Sequence, residues 1–499
     1  MIENLEDILI RHFQFTSFKQ GQKDVISSVL SGHNTVAVLP TGTGKSLCYQ
    51  LPAYIMTGTV VIVSPLLSLM QDQVEQIRIR GEKRVVALNS FLNREEKMEI
   101  LNHLEHYKFI FISPEMLNID GIQKRLQRLE ISLFVVDEAH CISQWGYDFR
   151  PDYMKLGVIR EALGNPLTLA LTATATRNVV KDMVDSLKLE EWKEFIHSVD
   201  RPNISMKVEE LEDLDEKDNR LIELVSHIQG PGIIYFSSKK KAEATVMRLK
   251  ALGISNCMAY HGGMDQESRI LVQQQFVYGQ LDVICATSAF GMGINKENIR
   301  YIIHYHMPLQ LESYLQEIGR AGRDGKRSVA ILLYTRGDEK LLHHLIESEL
   351  PNDLQMDRMT QWLTENTGAS IEEHEETLKA VAGLNDTQWR ITSDFFKSMA
   401  THNVKLEEGI SNFKQFIDER INFKIMQIEH MKKWVKSLQC RRDNILAYFS
   451  EEKKKESIED CCDVCGLDLK AFQKDEQAEL IKRIPFNWRN YLSAILLKE

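Results

Sequence analysis

Long apolar runs are missing from this chain of 499 residues. A membrane-spanning helix needs roughly 20 apolar residues in succession, whereas the longest runs here, such as Thr59–Val63 and Leu133–Val136, are strand-sized. A basic leader is missing too. The N-terminus, MIENLEDILI, carries acids where a secretory signal would carry Lys or Arg. Both deficits predict a protein that stays inside the cell and has no membrane partner. Positive charge is also short, with 61 Lys and Arg against 71 acids and a net charge of −10. That argues weakly against a polyanionic partner, because phosphate contacts want cations. Whole-chain charge is a poor guide to a local groove, however. From Glu419 to Lys455 there are ten Lys or Arg against five acids, and from Pro351 to Asp418 six against twelve. Cysteine is scarce, at eight residues. Cys48, Cys141, Cys257 and Cys285 are scattered, while Cys440, Cys461, Cys462 and Cys465 cluster late. Inside a cell such a cluster reads as a metal site before disulfides.

What is present is a rhythm of short Val/Ile/Leu runs. They occur at Val36–Leu39, Val60–Val63, Val85–Leu88, Phe109–Ile112, Leu133–Val136 and Leu167–Leu171. Unbroken runs of this length suit strands buried on both faces, and hence a parallel sheet. The rhythm restarts at Ile233–Phe236 and continues through Met258–His261, Val283–Ala286, Tyr301–Tyr305 and Val329–Tyr334. Two successive α/β domains follow from it. Their boundary is expected near Asp200–Asp218, which includes the acidic stretch Glu209–Asp218. Beyond Pro351 the strand signal stops, and Met356–Leu363, Leu378–Ala382, Trp389–Met399 and Phe413–Trp434 read as helices. No internal repeat stands out.

Residues 39–46, LPTGTGKS, follow the first strand run and precede a helix expected from Lys45. In such a loop Thr41, Gly42, Thr43 and Gly44 turn the backbone so that N–H groups face phosphates. Lys45 supplies charge, and the Ser46 hydroxyl can ligate Mg²⁺. The generic pattern has Gly where this chain has Leu39. Some ninety residues on, the run Leu133–Val136 ends in Asp137-Glu138-Ala139-His140. An acid at the C-terminal end of a buried strand sits where Mg²⁺ is held, and Glu138 is placed to orient or deprotonate a water. An ATP pocket that combines the loop with these four residues is expected.

The loop and the Asp-Glu-Ala-His tetrapeptide together resemble superfamily 2 helicases. Ser64-Pro65-Leu66, the Cys-Ile-Ser-Gln-Trp-Gly that follows His140, Leu171–Ala175, Ala289–Lys296 and Gln316–Gly325 narrow the likeness to the RecQ family of DNA helicases. The resemblance runs over roughly residues 10–345 and returns at 436–466. By length it is to a short, bacterial, RecS-like member. It implies that Gln22 reads adenine while Phe15 and Lys19 flank the base. Family members commonly have Tyr and Arg at those two positions, and an ammonium stacks less well than a guanidinium. It further implies that Arg320 and Arg323 reach the γ-phosphate from the second domain, with Arg323 as the arginine finger. Gln316 is the expected sensor of hydrolysis.

Ser143–Pro151 reads SQWGYDFRP, with alternating aromatics next to Arg150. Aromatic faces stack on unpaired bases without reading sequence. By resemblance, Trp145, Phe149 and Arg150 couple DNA binding to hydrolysis. Loop position makes Ser64, Ser68, Asn89 and Ser90 in the first domain, and Ser237, His261 and Thr287 in the second, candidate contacts to the strand. Four thiolates from Cys440, Cys461, Cys462 and Cys465 would satisfy tetrahedral Zn²⁺. Cys462-x-x-Cys465 has knuckle spacing, and the adjacent Cys461 is a less usual ligand.

The expected fold is α/β, with two tandem RecA-like parallel-sheet domains at 1–205 and 206–345. A helical insert at 346–430, a zinc-binding helical subdomain at 431–470 and a helical tail at 471–499 complete it. Only 34 residues follow Cys465, too few for the winged helix and accessory domain of longer relatives. The insert contains LNDTQWR at 384–390, loosely helix-turn-helix-like, but its negative charge favours packing or a protein partner over DNA. The expected function is an ATP- and Mg²⁺-dependent 3′-to-5′ DNA helicase acting on single-stranded and partly duplex DNA in repair, recombination or fork maintenance. A monomer located in the cytoplasm at the nucleoid is expected, with single-strand-binding or repair proteins as candidate partners. An RNA helicase, and an ATP-dependent clamp or strand-annealing protein, remain alternatives.

Overall fold

Every second residue of the first strands belongs to a different core. Val36, Val38, Val61, Val63, Ile110 and Ile112 join one apolar cluster. Ala37, Val60, Ile62, Phe109 and Phe111 join another on the opposite face. Strands that are apolar on both faces need helices on both sides, which is what a parallel sheet with crossover helices supplies. In this computed structural model residues 4–65, 67–89, 92–143, 150–291, 294, 296–366, 373–400, 406–452 and 458–474 are described. Among the expected site residues, Ser90, Trp145 and Phe149 lie outside these ranges, as do residues 475–499 of the expected tail.

The first sheet contains β1 (Asn34–Val38), β2 (Thr59–Val63), β3 (Val85–Leu88), β4 (Phe109–Ile112), β5 (Ile131–Val136), β6 (Thr168–Thr172) and β7 (Trp192–Ile196). Their order is β3-β4-β2-β5-β6-β1-β7. The second contains β8 (Ile204–Leu211), β9 (Gly232–Tyr235), β10 (Cys257–Tyr260), β11 (Val283–Ala286), β12 (Tyr301–His304) and β13 (Ser328–Thr335). Their order is β10-β11-β9-β12-β13-β8. Every pairing between these strands is parallel. Fully buried side chains such as Phe109, Phe111 and Phe134 each contribute about 1.5–3 kcal/mol of apolar transfer.

Two strands escaped the apolar-run reading, both at sheet edges. β7 pairs with β1 alone, and β8 pairs with β13 alone. Part of each faces solvent, so Trp192–Ile196 and Ile204–Leu211 mix charged with apolar residues and show no continuous run, unlike the edge strands β3 and β10. The crossing falls at the N-terminal end of the expected boundary stretch. Glu209–Asp218 is no linker: it closes β8 and opens the helix Leu214–His227, whose N-cap is Asp213. The crossing between sheets lies at Ser198–Asn203.

The helical region is likewise no separate insert. Helices Asp353–Glu365, Glu375–Ala382, Asp386–Ala400 and Leu406–Val435 send Met356, Met359, Leu363, Trp389, Phe413, Ile417, Ile428 and Trp434 into the same apolar cluster as β9, β12 and β13. The expected boundary at 430 falls inside the continuous helix Leu406–Val435. Leu384 and Trp389 of the LNDTQWR segment are buried in this core, which supports its packing role. No helix among the described residues is long and apolar enough to cross a membrane.

Candidate active site and zinc centre

β1 delivers the phosphate loop. Leu39 is fully buried in the sheet core and donates its N–H to Thr172 O at 3.0 Å, so packing uses the position where the generic pattern has Gly. Gly42 and Gly44 take φ of +85° and +73°, a region that costs other residues about 1–2 kcal/mol. The helix starts at Leu47, two residues later than expected, with Ser46 at its N-cap position. Gln22 and Lys19 are fastened to the loop. Gln22 Nε2 donates to Thr43 O at 2.7 Å and Gly44 O at 3.1 Å, and its Oε1 accepts from Lys19 N at 2.8 Å. Lys19 Nζ donates to Gly42 O at 2.9 Å. Phe15 is 49 % exposed, a flat apolar face turned to solvent.

β5 delivers the acids. Asp137 Oδ1 accepts from Glu138 N at 3.0 Å. Burial, then the neighbouring Glu138, raise the Asp137 carboxyl to about 7, with Lys45 opposing. Such a crowded carboxylate pair suits a divalent cation, which relieves both effects. Glu138 has φ of +48°, the left-handed region, although it carries a side chain. Strain of this kind persists only where surrounding structure imposes it. Here the turn Ala139–Ile142 and the bond from His140 Nδ1 to Thr172 Oγ1, at 2.8 Å, hold it in place. Thr172 Oγ1 also lies 3.2 Å from Thr174 O, so His140 ties the acid turn to the end of β6.

The second domain closes over this loop. The helix Leu311–Ile318 ends in Gly319, and a Cβ there would meet Thr41 Oγ1 at 2.0 Å. Arg320 is buried and Arg323 half-buried in the turn that follows. Arg323 Nη1 donates to Ile294 O at 2.5 Å. Burial first, then repulsion from Arg320 and Arg201, lower the Arg323 guanidinium to about 10. Among the described residues, Arg320 Nε, Arg323 Nε, Glu138 Oε2 and Thr174 Oγ1 are buried atoms without a hydrogen-bond partner. Buried polar atoms are nearly always paired. Arg323 Nε, on the side chain packed against Gly42, and Glu138 Oε2, next to Asp137, suit an anionic ligand with its cation and water.

The cysteines converge as well. The four Sγ atoms of Cys440, Cys461, Cys462 and Cys465 lie within 4.8 Å of one another. Cys440 Sγ is 3.7 Å from Cys461 Sγ and 3.9 Å from Cys462 Sγ. Zn–S bonds of about 2.3 Å in a tetrahedron put sulfurs about 3.8 Å apart, so the donors fit Zn²⁺. The adjacent pair reaches one point because Asp460 turns the chain at φ of +51° just before it. Cys462 then bridges Met206 of β8, and Cys461 O accepts from Met206 N at 3.2 Å. The centre therefore seals the exposed edge of the second sheet.

Sequence comparison bears on the same segments. Residues 19–183 match the DEAD/DEAH box helicase model, 216–325 the helicase conserved C-terminal domain and 407–466 the RecQ zinc-binding model. The chain is 45 % identical over 478 residues to the probable ATP-dependent DNA helicase RecS of Bacillus subtilis (strain 168), covering 95 % of each chain. The chain belongs to the RecQ family. It is 38 % identical over 351 residues to the ATP-dependent DNA helicase RecQ of the same organism, covering 70 % of this chain and 59 % of that one. The structure of the Mycobacterium smegmatis helicase Lhr bound to ssDNA and AMP-PNP shares the fold, with a TM-score of 0.57 at 19 % identity over 77 % of this chain and 55 % of that one. ATP with Mg²⁺, and Zn²⁺, are the cofactors of this RecQ-family chain.

A cleft of about 940 Å³ opens on the other side of the seam. Arg150 from the first domain, Ser237 and Thr287 from the second, and Gln316 and Arg320 share its wall. Arg150 Nη1 donates to Pro65 O at 2.8 Å, and Ser237 N donates to His306 Nδ1 at 3.1 Å. Burial lowers His306 to about 3, which keeps its ring neutral and accepting. The structure does not bring all the expected strand contacts to this wall. Ser64 and Asn89 are buried after β2 and β3, and His261 is bonded to Glu243 at 2.9 Å. The backbone of Ser68 is in the helix Leu67–Ile79. Sequence reasoning missed Arg269, Arg420 and Lys424 on the cleft wall, and Arg201 at the seam. Each stands alone in its segment, without a motif around it.

Proposed function

We propose that this RecQ-family helicase binds ATP in the seam between its two sheets and uses hydrolysis to move 3′ to 5′ along single-stranded DNA. As a family member it is an ATP-dependent DNA helicase. The observation that carries the reading is the seam itself, where Arg323 of the second domain packs against Gly42 of the phosphate loop, and the Nε–H groups of Arg323 and of the buried Arg320 are left without partners. Lys45, Ser46 and Asp137 are the residues that would hold the phosphates and Mg²⁺, and Glu138 would orient the water that attacks the γ-phosphorus. Thr41–Gly44 would wrap the phosphates, with Phe15, Lys19 and Gln22 on the base side. Arg320 and Arg323 favour the charge that builds as the bond to ADP breaks. His140 and Gln316 would pass the state of the site to the strand. Preference for triphosphate in the closed seam and for diphosphate in the open one turns each hydrolysis into a step.

The strand would run through the cleft beyond the seam. Its wall supports contacts from Arg150, Ser237 and Thr287, and by family resemblance Trp145 and Phe149 would stack on bases. Ser64, Ser68, Asn89, Ser90 and His261 remain proposals from loop position. Single-stranded and partly duplex DNA are the substrates, repair and fork maintenance the setting, and single-strand-binding or repair proteins the candidate partners. A monomer in the cytoplasm, at the nucleoid, completes the reading. The test pairs ATPase assays on DNA and RNA oligonucleotides with strand displacement on forked, 3′-tailed and 5′-tailed duplexes. Displacement restricted to 3′-tailed and forked DNA is expected. Robust ATPase with no displacement would replace the reading by a clamp, and stimulation by RNA alone by an RNA helicase.

A further inference from the structure

The crossing from first to second sheet carries a polar network that serves neither sheet. Arg201 Nη1 donates to Thr41 O at 3.0 Å and Gly319 O at 2.9 Å, and Nη2 to Ala321 O at 3.0 Å and Gly322 O at 2.8 Å. Thr41 belongs to the phosphate loop, and the other three acceptors belong to the turn that carries Arg320 and Arg323. One planar fork thus joins the two halves of the ATP seam, a geometry that an ammonium cannot copy. All four acceptors are neutral carbonyls, and burial lowers the guanidinium's pKa, with Asp200 opposing. Nη1 lies 3.6 Å from where a Gly42 Cβ would be, alongside Arg323.

The same crossing is gripped from the zinc side. Arg442 donates Nη1 to Asp200 Oδ1 and, at 3.1 Å, to Arg201 O. Its Nη2 donates to Ile204 O at 2.7 Å, and its Nε points to Cys461 Sγ at 3.4 Å. Glu451 accepts from Val199 N at 3.0 Å and from Ser198 Oγ. A continuous chain of hydrogen bonds therefore runs from the cysteine cluster, through Arg442 and the crossing, to the phosphate loop and the arginine turn.

We propose that Arg201 is a positioning residue that holds the ATP seam closed, with the zinc subdomain setting its place through Arg442. All four carbonyls can be bonded only while Thr41 and Gly319–Gly322 adjoin, so opening costs Arg201 part of its bonding. The equilibrium is thereby biased to the state in which Arg323 faces the phosphate loop. The proposal rests on the reading that ATP is bound and hydrolysed in this seam.

The test uses the full-length, zinc-loaded protein and the variants Arg201→Met, Arg201→Lys and Asp200→Asn, with zinc content and melting temperature as checks on folding. The readouts are affinity for ADP, affinity for the non-hydrolysable analogue AMP-PNP, and kcat and KM for ATP with single-stranded DNA. Arg201→Met is expected to keep ADP affinity, which the first domain supplies, yet weaken AMP-PNP binding and lower kcat by about tenfold to a hundredfold. Arg201→Lys is expected not to rescue. Asp200→Asn, which loosens the Arg442 grip and leaves Arg201's four hydrogen bonds and the cysteines in place, is expected to shift the same ratio less. Wild-type AMP-PNP-to-ADP affinity ratio and kcat in Arg201→Met, or full rescue by Arg201→Lys, overturns the proposal. Should Arg201→Met fail to fold, wild-type values in Asp200→Asn overturn it. If Lys45→Ala binds both nucleotides as tightly as wild type, the reading of the seam as the ATP site fails instead, and the proposal with it.

Discussion

Gly42 of the first domain and Arg323 of the second share one packing contact: a Cβ added to Gly42 would lie 3.0 Å from Arg323 Cγ. The residue that lets the phosphate loop turn is thus also the one that lets the arginine approach. Gly42→Ala meets two penalties, a φ of +85° and the displacement of Arg323. ATP turnover in that variant is expected to fall further than ADP affinity, and parallel steady-state and nucleotide-binding titrations check it.

The catalytic acids should separate binding from chemistry. Lys45→Ala is expected to abolish hydrolysis by removing the phosphate's counter-charge. Glu138→Gln is expected to bind ATP but turn over on the order of 10²- to 10⁴-fold more slowly, the range for loss of a general base. Equal turnover in Glu138→Gln and wild type would assign water activation elsewhere.

Trp145→Ala addresses coupling. The ratio of hydrolysis rates with and without single-stranded DNA is expected to fall towards one, because a stacked base would no longer be felt beside the acid turn. A ratio kept at its wild-type value would place the coupling on residues of the cleft wall such as Arg150.

The cysteine segment covers the edge strand β8, and Arg442 beside it grips the crossing; zinc would be held by Cys440, Cys461, Cys462 and Cys465 and would fix both. One zinc per chain is expected by metal analysis. Stripping it with a chelator, or Cys462→Ser, is expected to cost on the order of 4–5 kcal/mol, read by denaturant unfolding. Zinc-free protein with unchanged stability would remove the structural role given to the cluster.

Glu339 offers a pH test of how the long helix is docked. Burial alone would raise its carboxyl, but its own backbone amide, the Tyr334 hydroxyl and Lys432 outweigh burial and hold it at about 2. Tyr334 is on β13 and Lys432 on the helix Leu406–Val435, with Lys432 Nζ 3.1 Å from the carboxylate. A depressed folded value contributes stability that is present above the unfolded value of about 4.3 and is lost as pH falls towards 2. Glu339→Gln is therefore expected to be less stable than wild type at pH 7, with the difference shrinking below pH 4, measured by urea unfolding across pH.

The central strands were legible because burial on both faces leaves a continuous apolar run, and the phosphate loop because its chemistry is local. Edge strands β7 and β8 were not, since charged residues on their exposed faces break the run, whereas the edge strands β3 and β10 are apolar throughout. The helical region read correctly as helix, but its partner did not show. The amphipathic pattern of Leu406–Val435 says that one side is covered, not that β9, β12 and β13 cover it. The same limit applied to strand contacts. Ser64 and His261 sit in loops of the right kind, yet burial of one and the Glu243 bond of the other depend on neighbours remote in sequence.

Two sheets, a Gly-Lys-Ser loop, an acid tetrapeptide at a strand end and a cysteine cluster are properties of short segments, so local composition and spacing were enough to specify them. The seam is different. Arg201 touches Thr41, 160 residues away, and Gly319, 118 residues away. A lone arginine in Asp200-Arg201-Pro202-Asn203 carries no spacing rule that reveals this. Its role exists because two folded domains bring carbonyls together around a planar cation, and only their packing could decide which carbonyls those are.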